Sequence, residues 1–291
     1  MTLKISELLK NKDFTVSFEI FPPKNNGALD KIHSCIEELV ELNPDFISVT
    51  YGAGGSTTKN TVEIADILKN KFNTNTIAHL TCIDSDKENI STIIENLKEA
   101  NIENILALRG DLPEGYNDID KKEFKFAKDL ISFLNDNHDF SIGAACYPEG
   151  HTENPNKNND IKNLKDKVDS GVDFLITQMF FDNNHLYNLI DKLDLIDLNI
   201  PIIAGIMPIT NKNQLIRISS LSGAEIPERL KRILDRFEHD ENLIQEAGII
   251  YATEQILDLI ASNKVNGVHI YTMNKPYIAK RIMDNIKPLL G

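Results

Sequence analysis

The sequence predicts an α/β fold, a single (β/α)8 TIM barrel with extra helices between strands 7 and 8 and at the termini. Short apolar segments alternate with amphipathic helical segments about eight times, at roughly 30-residue spacing. Strict alternation favours parallel strands, and eight units in 291 residues match a closed barrel better than an open doubly wound sheet. No linker, low-complexity tract or composition break is visible, so one domain over residues 1–291 is expected.

Eight segments have the composition of buried strands, because their apolar residues run without a helical period. The first, 14–21, is closed by Pro22-Pro23, and the seventh is closed by Pro208. In chain order the predicted strands are 14–21, 46–50, 76–81, 105–108, 141–147, 173–181, 201–207 and 267–271.

Apolar residues at helical spacing predict the helices between these strands, as in 28–42, where Leu29 and Ile32 begin the apolar face. A long loop, 111–121, is expected to lead to a helix whose apolar face begins at Phe124. The other predicted segments are an N-terminal helix or cap at 1–13, a polar loop at 152–159, helices at 160–170, from about 211, from about 227 and at 240–262, and a last helix after strand 8.

Polar residues placed just before apolar helical segments predict N-caps. Ser56 or Thr57 is expected to cap the helix after strand 2, and Asp84 or Ser85 is expected to open the helix after strand 3. Asp182 is expected to cap the helix after strand 6.

The composition, with 41% hydrophobic and 26% charged residues, is that of an ordinary soluble globular protein. The net charge of −13 argues against general nucleic-acid binding, which needs a basic face. Cys35, Cys82 and Cys146 have no paired spacing, so neither a disulfide framework nor a zinc ribbon is expected. The apolar runs are too short for a membrane span, and the N-terminus lacks the pattern of a secretory signal. We therefore expect a cytoplasmic protein with no nucleic-acid or membrane partner.

Polar side chains stand at nearly every predicted strand end, where barrels of this kind build their active sites. Glu19 lies within strand 1 between two apolar residues, and a buried carboxylate is costly unless it is used or paired. The other strand-end residues are Thr50, Tyr51, His79, Thr81, Arg109, Asp111, Tyr147, His151, Gln178, Tyr271 and Lys275. Together they predict one site at the mouth of the barrel.

Each of these residues alone also has an ordinary interpretation. Arg109 and Asp111 can form a surface pair at a strand-to-helix turn, with Gly110 as a simple turn residue. His79 can be a core histidine with satisfied hydrogen bonds, and Gln178 can be a buried amide with backbone partners.

The pair of carboxylates, Glu19 and Asp111, suits proton donation combined with stabilisation of a cationic intermediate, with burial raising one pKa. Glycoside hydrolysis would also use such a pair, but the chain has no tryptophan for a sugar platform. No metal is expected, because no His-Glu-x-x-His occurs and His79-x-x-Cys82 is a poor zinc pattern. The turn 52–55 can cradle a phosphate or can simply be flexible.

Six ordered motifs resemble one known family. They are Phe-Glu-Ile-Phe-Pro-Pro at 18–23, Ser-Val-Thr-Tyr-Gly-Ala at 48–53, His-Leu-Thr-Cys at 79–82, Leu-Arg-Gly-Asp-Leu-Pro at 108–113, Tyr-Pro-Glu at 147–149 and Ile-Thr-Gln at 176–178. The chain is similar to the methylenetetrahydrofolate reductases, in the short form that has only the catalytic barrel. The similarity runs from about residue 14 to residue 285.

The resemblance implies FAD at the strand ends, NADH or NADPH as reductant, and ping-pong reduction of 5,10-methylenetetrahydrofolate to 5-methyltetrahydrofolate, which supplies methyl groups for methionine synthesis. It implies that Glu19 is the general acid and that Asp111 favours the cationic intermediate. Matches to flavin-contacting positions are Thr50, His79, Arg109, Gly110, Asp111, Ala127, Tyr147, His151, Asp160, Asn163 and Lys167. Matches to folate-contacting positions are Glu19, Asp111, Gln178, Gln214 and Lys275.

Two positions depart from the family pattern. Asp166 stands where relatives can carry a basic residue near the FAD phosphates, and Ile218 stands where relatives can carry a stacking aromatic. The family also implies a homo-oligomer, while the choice between NADH and NADPH stays open. A non-catalytic barrel that binds folate or flavin, and a metal- or carboxylate-dependent hydrolase, are the alternative functions.

Overall fold

The computed structural model describes residues 2–23, 29–51, 55–111, 122–154 and 156–290. Its strands are β1 (Thr15–Ile20), β2 (Phe46–Val49), β3 (Thr76–Thr81), β4 (Asn104–Leu108), β5 (Ser141–Cys146), β6 (Phe174–Thr177), β7 (Ile202–Ile206) and β8 (Gly267–Tyr271). All eight pair in parallel with their neighbours in the chain, and β1 also pairs with β8, which closes the barrel. The predicted fold class is therefore confirmed.

Helices alternate with the strands as predicted. They are α1 (Ile5–Asn11), α2 (Leu29–Val40), α3 (Gly55–Asp66), α4 (Lys87–Glu99), α5 (Ala127–Asn137), α6 (Lys157–Val168), α7 (Asn183–Asp194), α8 (Lys212–Ser222), α9 (Glu228–Phe237), α10 (Glu241–Ser262) and α11 (Pro276–Ile286). A π-helical segment, Ile67–Lys71, follows α3, and a 3-10 turn, Lys287–Leu289, follows α11. Within the described ranges, no helix has the length and apolar character needed to cross a bilayer.

Helix α1 lies against the N-terminal ends of the strands. Its Ile5 and Leu9 are buried with inward-facing strand residues, namely Phe46, Ile77, Leu106, Phe174, Ile176 and Ile203. The backbone N–H of Ile5 donates to Asn104 Oδ1 at 2.7 Å, and that of Ser6 donates to Ser141 Oγ at 3.0 Å. Side chains at the starts of β4 and β5 thus accept N–H groups that a helix N-terminus leaves without an intrahelical partner. Ile5 and Leu9 of α1 close the barrel interior at the N-terminal ends of the strands.

The three helices between β7 and β8 build a second apolar core beside the barrel. Its buried members are Phe181, Met207, Ile209, Leu215, Ala224, Leu230, Leu234, Ile244 and Tyr251. Gly248 of α10 packs so closely on the backbone carbonyl of Ile209 that any Cβ would overlap it. This contact fixes α10 against the segment that leaves the mouth of β7.

Strand β6 is shorter than the predicted strand 173–181, because it ends at Thr177. The N–H of Gln178 still donates to the carbonyl of Cys146 at 2.7 Å, and the chain then leaves the sheet. Phe180 and Phe181 are buried in the two cores without being in a strand. The apolar residues at the end of the predicted strand therefore indicate burial and not extended structure.

The N-cap of α7 was predicted correctly and that of α4 was not. Asp182 caps α7, since its side chain accepts a backbone N–H of that helix. Helix α4 is capped by Asp86, whose Oδ1 accepts the N–H of Asn89 at 2.8 Å, and not by Asp84 or Ser85. Asp86 is the residue directly before the first helical turn, where a carboxylate reaches that N–H.

Two other helix starts differ from the prediction. Helix α3 begins at Gly55, so Ser56 and Thr57 lie inside it and cannot be its N-cap. Helix α5 begins at Ala127, whereas Phe124 precedes it and is buried at 2% exposure. The spacing of apolar residues predicts Phe124 to be on the helix. Phe124 is buried but lies before the helix, because apolar spacing depends on burial and not only on helical structure.

Helix α6 begins at Lys157, so the predicted loop 152–159 is shorter than expected. The turn residues 52–54 and most of the predicted loop after Asp111, residues 112–121, lie outside the described residues.

Candidate active site

Two cavities open at the C-terminal ends of the strands. The mouth cavity, of about 880 Å³, is lined by residues that include Glu19, His79 and Asp111. The side cavity, of about 730 Å³, lies beside α5 and α6 and is lined by residues that include Ala127 and Lys167. The residues that line both cavities are Leu108, Arg109, Ala145, Tyr147, His151 and Glu153.

The predicted site residues divide between these cavities. Those that line the mouth cavity are Glu19, Thr50, His79, Arg109, Gly110, Asp111, Tyr147, His151 and Gln178. Those that line the side cavity are Arg109, Ala127, Tyr147, His151, Asp160, Asn163 and Lys167. Gln214 and Lys275 line neither cavity. Instead, Thr210 Oγ1 donates to Gln214 Oε1 at 2.5 Å and accepts from Lys275 Nζ at 3.1 Å. The predicted folate contacts of Gln214 and Lys275 stay predictions.

Glu19 points into the barrel because strand side chains alternate between two faces. Its neighbours Phe18 and Ile20 are fully buried in the main core between strands and helices. The Glu19 side chain is 16% exposed, toward the mouth cavity that it lines. Desolvation raises the pKa of its carboxyl from 4.5 to about 8. The predicted rise in one carboxyl pKa is therefore found, and Glu19 holds a proton at neutral pH.

Two buried histidines lie beside the Glu19 carboxyl. His79 Nε2 is 3.7 Å and His269 Nε2 is 3.9 Å from Glu19 Oε2. Burial lowers the pKa of each imidazole to about 3, so both are neutral at physiological pH. His79 Nε2 is buried without a hydrogen-bond partner among the described residues, unlike a core histidine whose hydrogen bonds are satisfied.

His269 is held from two sides below the mouth cavity. Its Nδ1 lies 2.8 Å from Ser17 Oγ, and its Nε2 lies 3.0 Å from Ser48 Oγ. The ring stacks on Phe46 with centroids 5.7 Å apart. Sequence reasoning missed this residue, although its place between apolar residues in strand 8 follows the same alternation that identified Glu19.

Gly110 and Asp111 follow β4 at the mouth. Gly110 has φ +90, and a Cβ there would lie 3.0 Å from Ile83 Cγ2 and 3.2 Å from Thr81 Cβ. The position therefore requires glycine, and its backbone faces the mouth cavity without a side chain. Asp111 lines the same cavity as Glu19, so the two carboxyl groups share one site.

Arg109 is paired with Glu153 and not with Asp111. Its Nη1 and Nη2 donate to the two oxygens of Glu153 at 2.6 and 2.7 Å, and its Nε donates to the carbonyl of Gly110 at 3.1 Å. The ordinary interpretation of an Arg109–Asp111 surface pair is therefore wrong. Glu153 was not predicted, since it lies in a polar loop without any periodic pattern.

The loop between β5 and α6 is fastened to the start of α6. Asp160 accepts the backbone N–H of His151 at 2.5 Å and a side-chain N–H of Asn154 at 2.9 Å. The rings of Tyr147 and His151 meet edge to face, with centroids 4.6 Å apart. Burial raises the pKa of Tyr147 to about 12, so its hydroxyl remains a donor at neutral pH.

Lys167 reaches the side cavity from α6. Its Nζ donates to the carbonyl of Ala145 at 2.8 Å, and desolvation lowers its pKa. The neighbouring Asp166 is exposed and lines the same cavity. An acid, Asp166, and a lysine, Lys167, therefore both line the side cavity, at the position where the resemblance implied that relatives can carry a basic residue in place of Asp166.

Gln178, directly after β6, and Tyr271, at the end of β8, line the mouth cavity. Gln178 Oε1 accepts the N–H of Met179 at 2.9 Å, so the predicted backbone partner is present while the side chain still lines the cavity. The Tyr271 hydroxyl donates to the carbonyl of Thr177 at 2.7 Å and packs against Gly205.

The α8–α9 turn touches the β5–α6 loop across the mouth. The N–H of Glu225 donates to Glu149 Oε2 at 2.8 Å, and Gly223 lies against the Thr152 side chain. Near this contact Leu221 lines the mouth cavity and is 72% exposed. Glu149 and Glu225 also form, with His185, a group of ligand atoms within 4.8 Å of one another.

Ile218, the second departure from the family pattern, does not line either cavity. It packs, partly buried, against the second core.

A family model described as Methylenetetrahydrofolate reductase matches residues 4–287. Methylenetetrahydrofolate reductase 1 of Schizosaccharomyces pombe is 36% identical, covering 98% of this chain and 48% of that protein. The 5,10-methylenetetrahydrofolate reductase of Escherichia coli is 33% identical, covering 93% of this chain and 90% of that protein. The chain thus spans about half the length of the fungal relative and most of the bacterial one.

Among solved structures, an uncharacterized protein from Clostridium thermocellum that binds two copies of 5-methyl-5,6,7,8-tetrahydrofolic acid superposes with a TM-score of 0.62. The alignment covers 99% of both chains at 14% identity, so this likeness concerns the fold alone. The family match over nearly the whole chain and the bacterial relative agree with each other. The chain belongs to the methylenetetrahydrofolate reductase family.

Proposed function

We propose that this protein reduces 5,10-methylenetetrahydrofolate to 5-methyltetrahydrofolate with NADH, through bound FAD. The observation that carries the proposal is the carboxyl of Glu19, which holds a proton at neutral pH and lines the same cavity as Asp111. Family membership supports the reaction, since bacterial relatives of similar length are named 5,10-methylenetetrahydrofolate reductase.

The residues present fit a dinucleotide that spans the two cavities. At the shared wall Arg109 offers a planar fork that suits a pyrophosphate, and Lys167 adds a second cation in the side cavity. His79 Nε2 is a buried nitrogen without a partner among the described residues, and Gly110 leaves its backbone open to close approach. FAD, when bound, supplies the hydride chemistry that side chains cannot provide.

In the folate half of the reaction, Glu19 acts as the general acid. Burial keeps its carboxyl protonated up to about pH 8. When the methylene bridge opens, one bond between the methylene carbon and nitrogen breaks, and Glu19 can donate its proton to the nitrogen that is released. The neutral His79 and His269 add no positive charge that would ionise this carboxyl. Asp111 places a carboxylate beside the resulting iminium cation and favours its formation.

Several finer assignments belong to the same proposal. We place the whole activity in one FAD-binding barrel of residues 1–291, with Gln178, Gln214 and Lys275 contacting folate. NADH is the proposed reductant, since plant relatives carry that name, as in Methylenetetrahydrofolate reductase (NADH) 1 of Arabidopsis thaliana. We further propose a cytoplasmic homo-oligomer whose product supplies methyl groups for methionine synthesis.

Anaerobic absorbance spectroscopy tests the proposal. Purified protein supplemented with FAD is expected to lose flavin absorbance on adding NADH and to regain it on adding 5,10-methylenetetrahydrofolate, with 5-methyltetrahydrofolate formed in equal amount. A protein that binds flavin and folate but shows neither change would be a non-catalytic binding barrel, and one that ignores FAD would contradict the proposed cofactor.

A further inference from the structure

We propose that Glu153 competes with the cofactor's pyrophosphate for Arg109 and thereby limits how tightly the protein binds FAD. The proposal rests on the proposed function, because it takes Arg109 as the residue that meets the pyrophosphate. It assigns to Glu153 an effect on cofactor affinity that neither the sequence motifs nor the family resemblance indicated.

The geometry places Glu153 at the junction of the two cavities. Both Glu153 and Arg109 line the mouth cavity and the side cavity. The Glu153 oxygens accept from Nη1 and Nη2 at 2.6 and 2.7 Å, a two-point contact between the planar fork and the carboxylate. With Nε donating to the Gly110 carbonyl, three of the five guanidinium N–H groups are engaged.

A pyrophosphate oxygen pair needs the same edge of the guanidinium that Glu153 holds. The other two-point edge of the guanidinium consists of Nε and one Nη atom. It is not available, because Nε donates to the Gly110 carbonyl. A phosphate at this edge would also lie beside the negative charge of Glu153, which opposes binding. The dinucleotide and Glu153 therefore compete for the Nη1/Nη2 edge of Arg109.

Exchange of the two partners needs only a side-chain rotation. The backbone N–H of Glu153 donates to His151 Nδ1 at 3.2 Å, and the N–H of His151 donates to Asp160 at 2.5 Å, so the loop is held independently of Arg109. The Glu153 side chain is 51% exposed, while that of Arg109 is 16% exposed. A released Glu153 returns to water at small cost, and Arg109 stays in the wall for the phosphates.

The test compares FAD binding by wild type, Glu153→Gln and the matched control Glu254→Gln. Glu254 also forms a two-point pair, with Arg229, at 2.8 and 2.5 Å, and its side chain is 52% exposed. Neither Arg229 nor Glu254 lines the mouth cavity or the side cavity. Titration followed by flavin fluorescence is expected to give a Kd about fivefold lower for Glu153→Gln and unchanged for Glu254→Gln. ADP, which carries the adenosine and the pyrophosphate of FAD without the flavin, should show the same gain in affinity by calorimetry.

An unchanged or weakened FAD affinity in Glu153→Gln would overturn the inference, since Glu153 would then merely orient Arg109. In an Arg109→Gln background, Glu153→Gln should leave the Kd for FAD nearly unchanged. A Kd that still falls about fivefold in that background would also contradict competition for Arg109. If wild type binds FAD but Glu153→Gln has no effect, only this inference fails. If wild type binds no FAD, the proposed function fails together with it.

Discussion

Glu19 combines a buried position with a proton that it keeps at neutral pH. Its folded-state pKa of about 8 lies above the ordinary 4.5, so between these pH values the folded protein holds a proton that the unfolded chain releases. The stability from this group is fully present below pH 4.5 and is lost as pH rises through about 8.

Replacing Glu19 by Gln should therefore stabilise the protein more as pH rises. We expect the free energy of unfolding to exceed that of wild type by about 2–4 kcal/mol at pH 8.5, and the excess to shrink toward pH 5. Urea denaturation at several pH values measures this, with the exposed Glu254→Gln as control. A difference that does not change with pH would show that Glu19 is not protonated in the folded state.

Among the side chains of the site, Glu19 could be predicted from the sequence and Glu153 could not. Alternation along strand 1 was enough to single out Glu19, because an inward carboxyl between two buried apolar residues is unusual. The partner of Arg109 could not be predicted, since Glu153 comes from a loop 44 residues away in the chain. Contacts between loops depend on the closed barrel, which no local pattern describes.

At the scale of elements, helix α10 depends on a glycine for its position. Gly248 packs on the Ile209 carbonyl with no room for a Cβ. Gly248→Ala is expected to destabilise the protein by about 1–3 kcal/mol, although the same change in an exposed helix would stabilise it by about 0.5–1 kcal/mol. Thermal or urea unfolding measures the sign.

The control for this prediction is Ile250→Ala on the same helix, where the side chain is 63% exposed. That change should stay within about 0.5 kcal/mol of wild type. A stabilised Gly248→Ala protein would mean that α10 can move away from Ile209, and that the second core is not fixed as described.

Strands and helices were predicted well where period and apolar content agree. The predicted bounds of strand 3, 76–81, and strand 8, 267–271, match β3 and β8. The prediction failed for Phe124, Phe180 and Phe181, since all three are buried outside regular helices and strands. Apolar content reports burial, and only the tertiary structure decides whether a buried segment is regular.

At the scale of the whole molecule, the barrel and the second core are joined through Gly248 and through the contact between the α8–α9 turn and the β5–α6 loop. We expect one cooperative thermal transition, as for a single domain. Calorimetry should give equal calorimetric and van't Hoff enthalpies, and FAD at 100 times its Kd should stabilise the folded state by about 2.7 kcal/mol. Two resolved transitions would contradict the proposed single domain.

The central claim is that Glu19 supplies the proton for folate reduction. The most direct measurement is anaerobic stopped-flow absorbance of the FAD-loaded Glu19→Gln protein beside wild type. We predict that NADH bleaches the flavin at a rate close to that of wild type, and that recovery with 5,10-methylenetetrahydrofolate is slower by at least about 100-fold. Recovery at the wild-type rate would show that Glu19 is not the general acid.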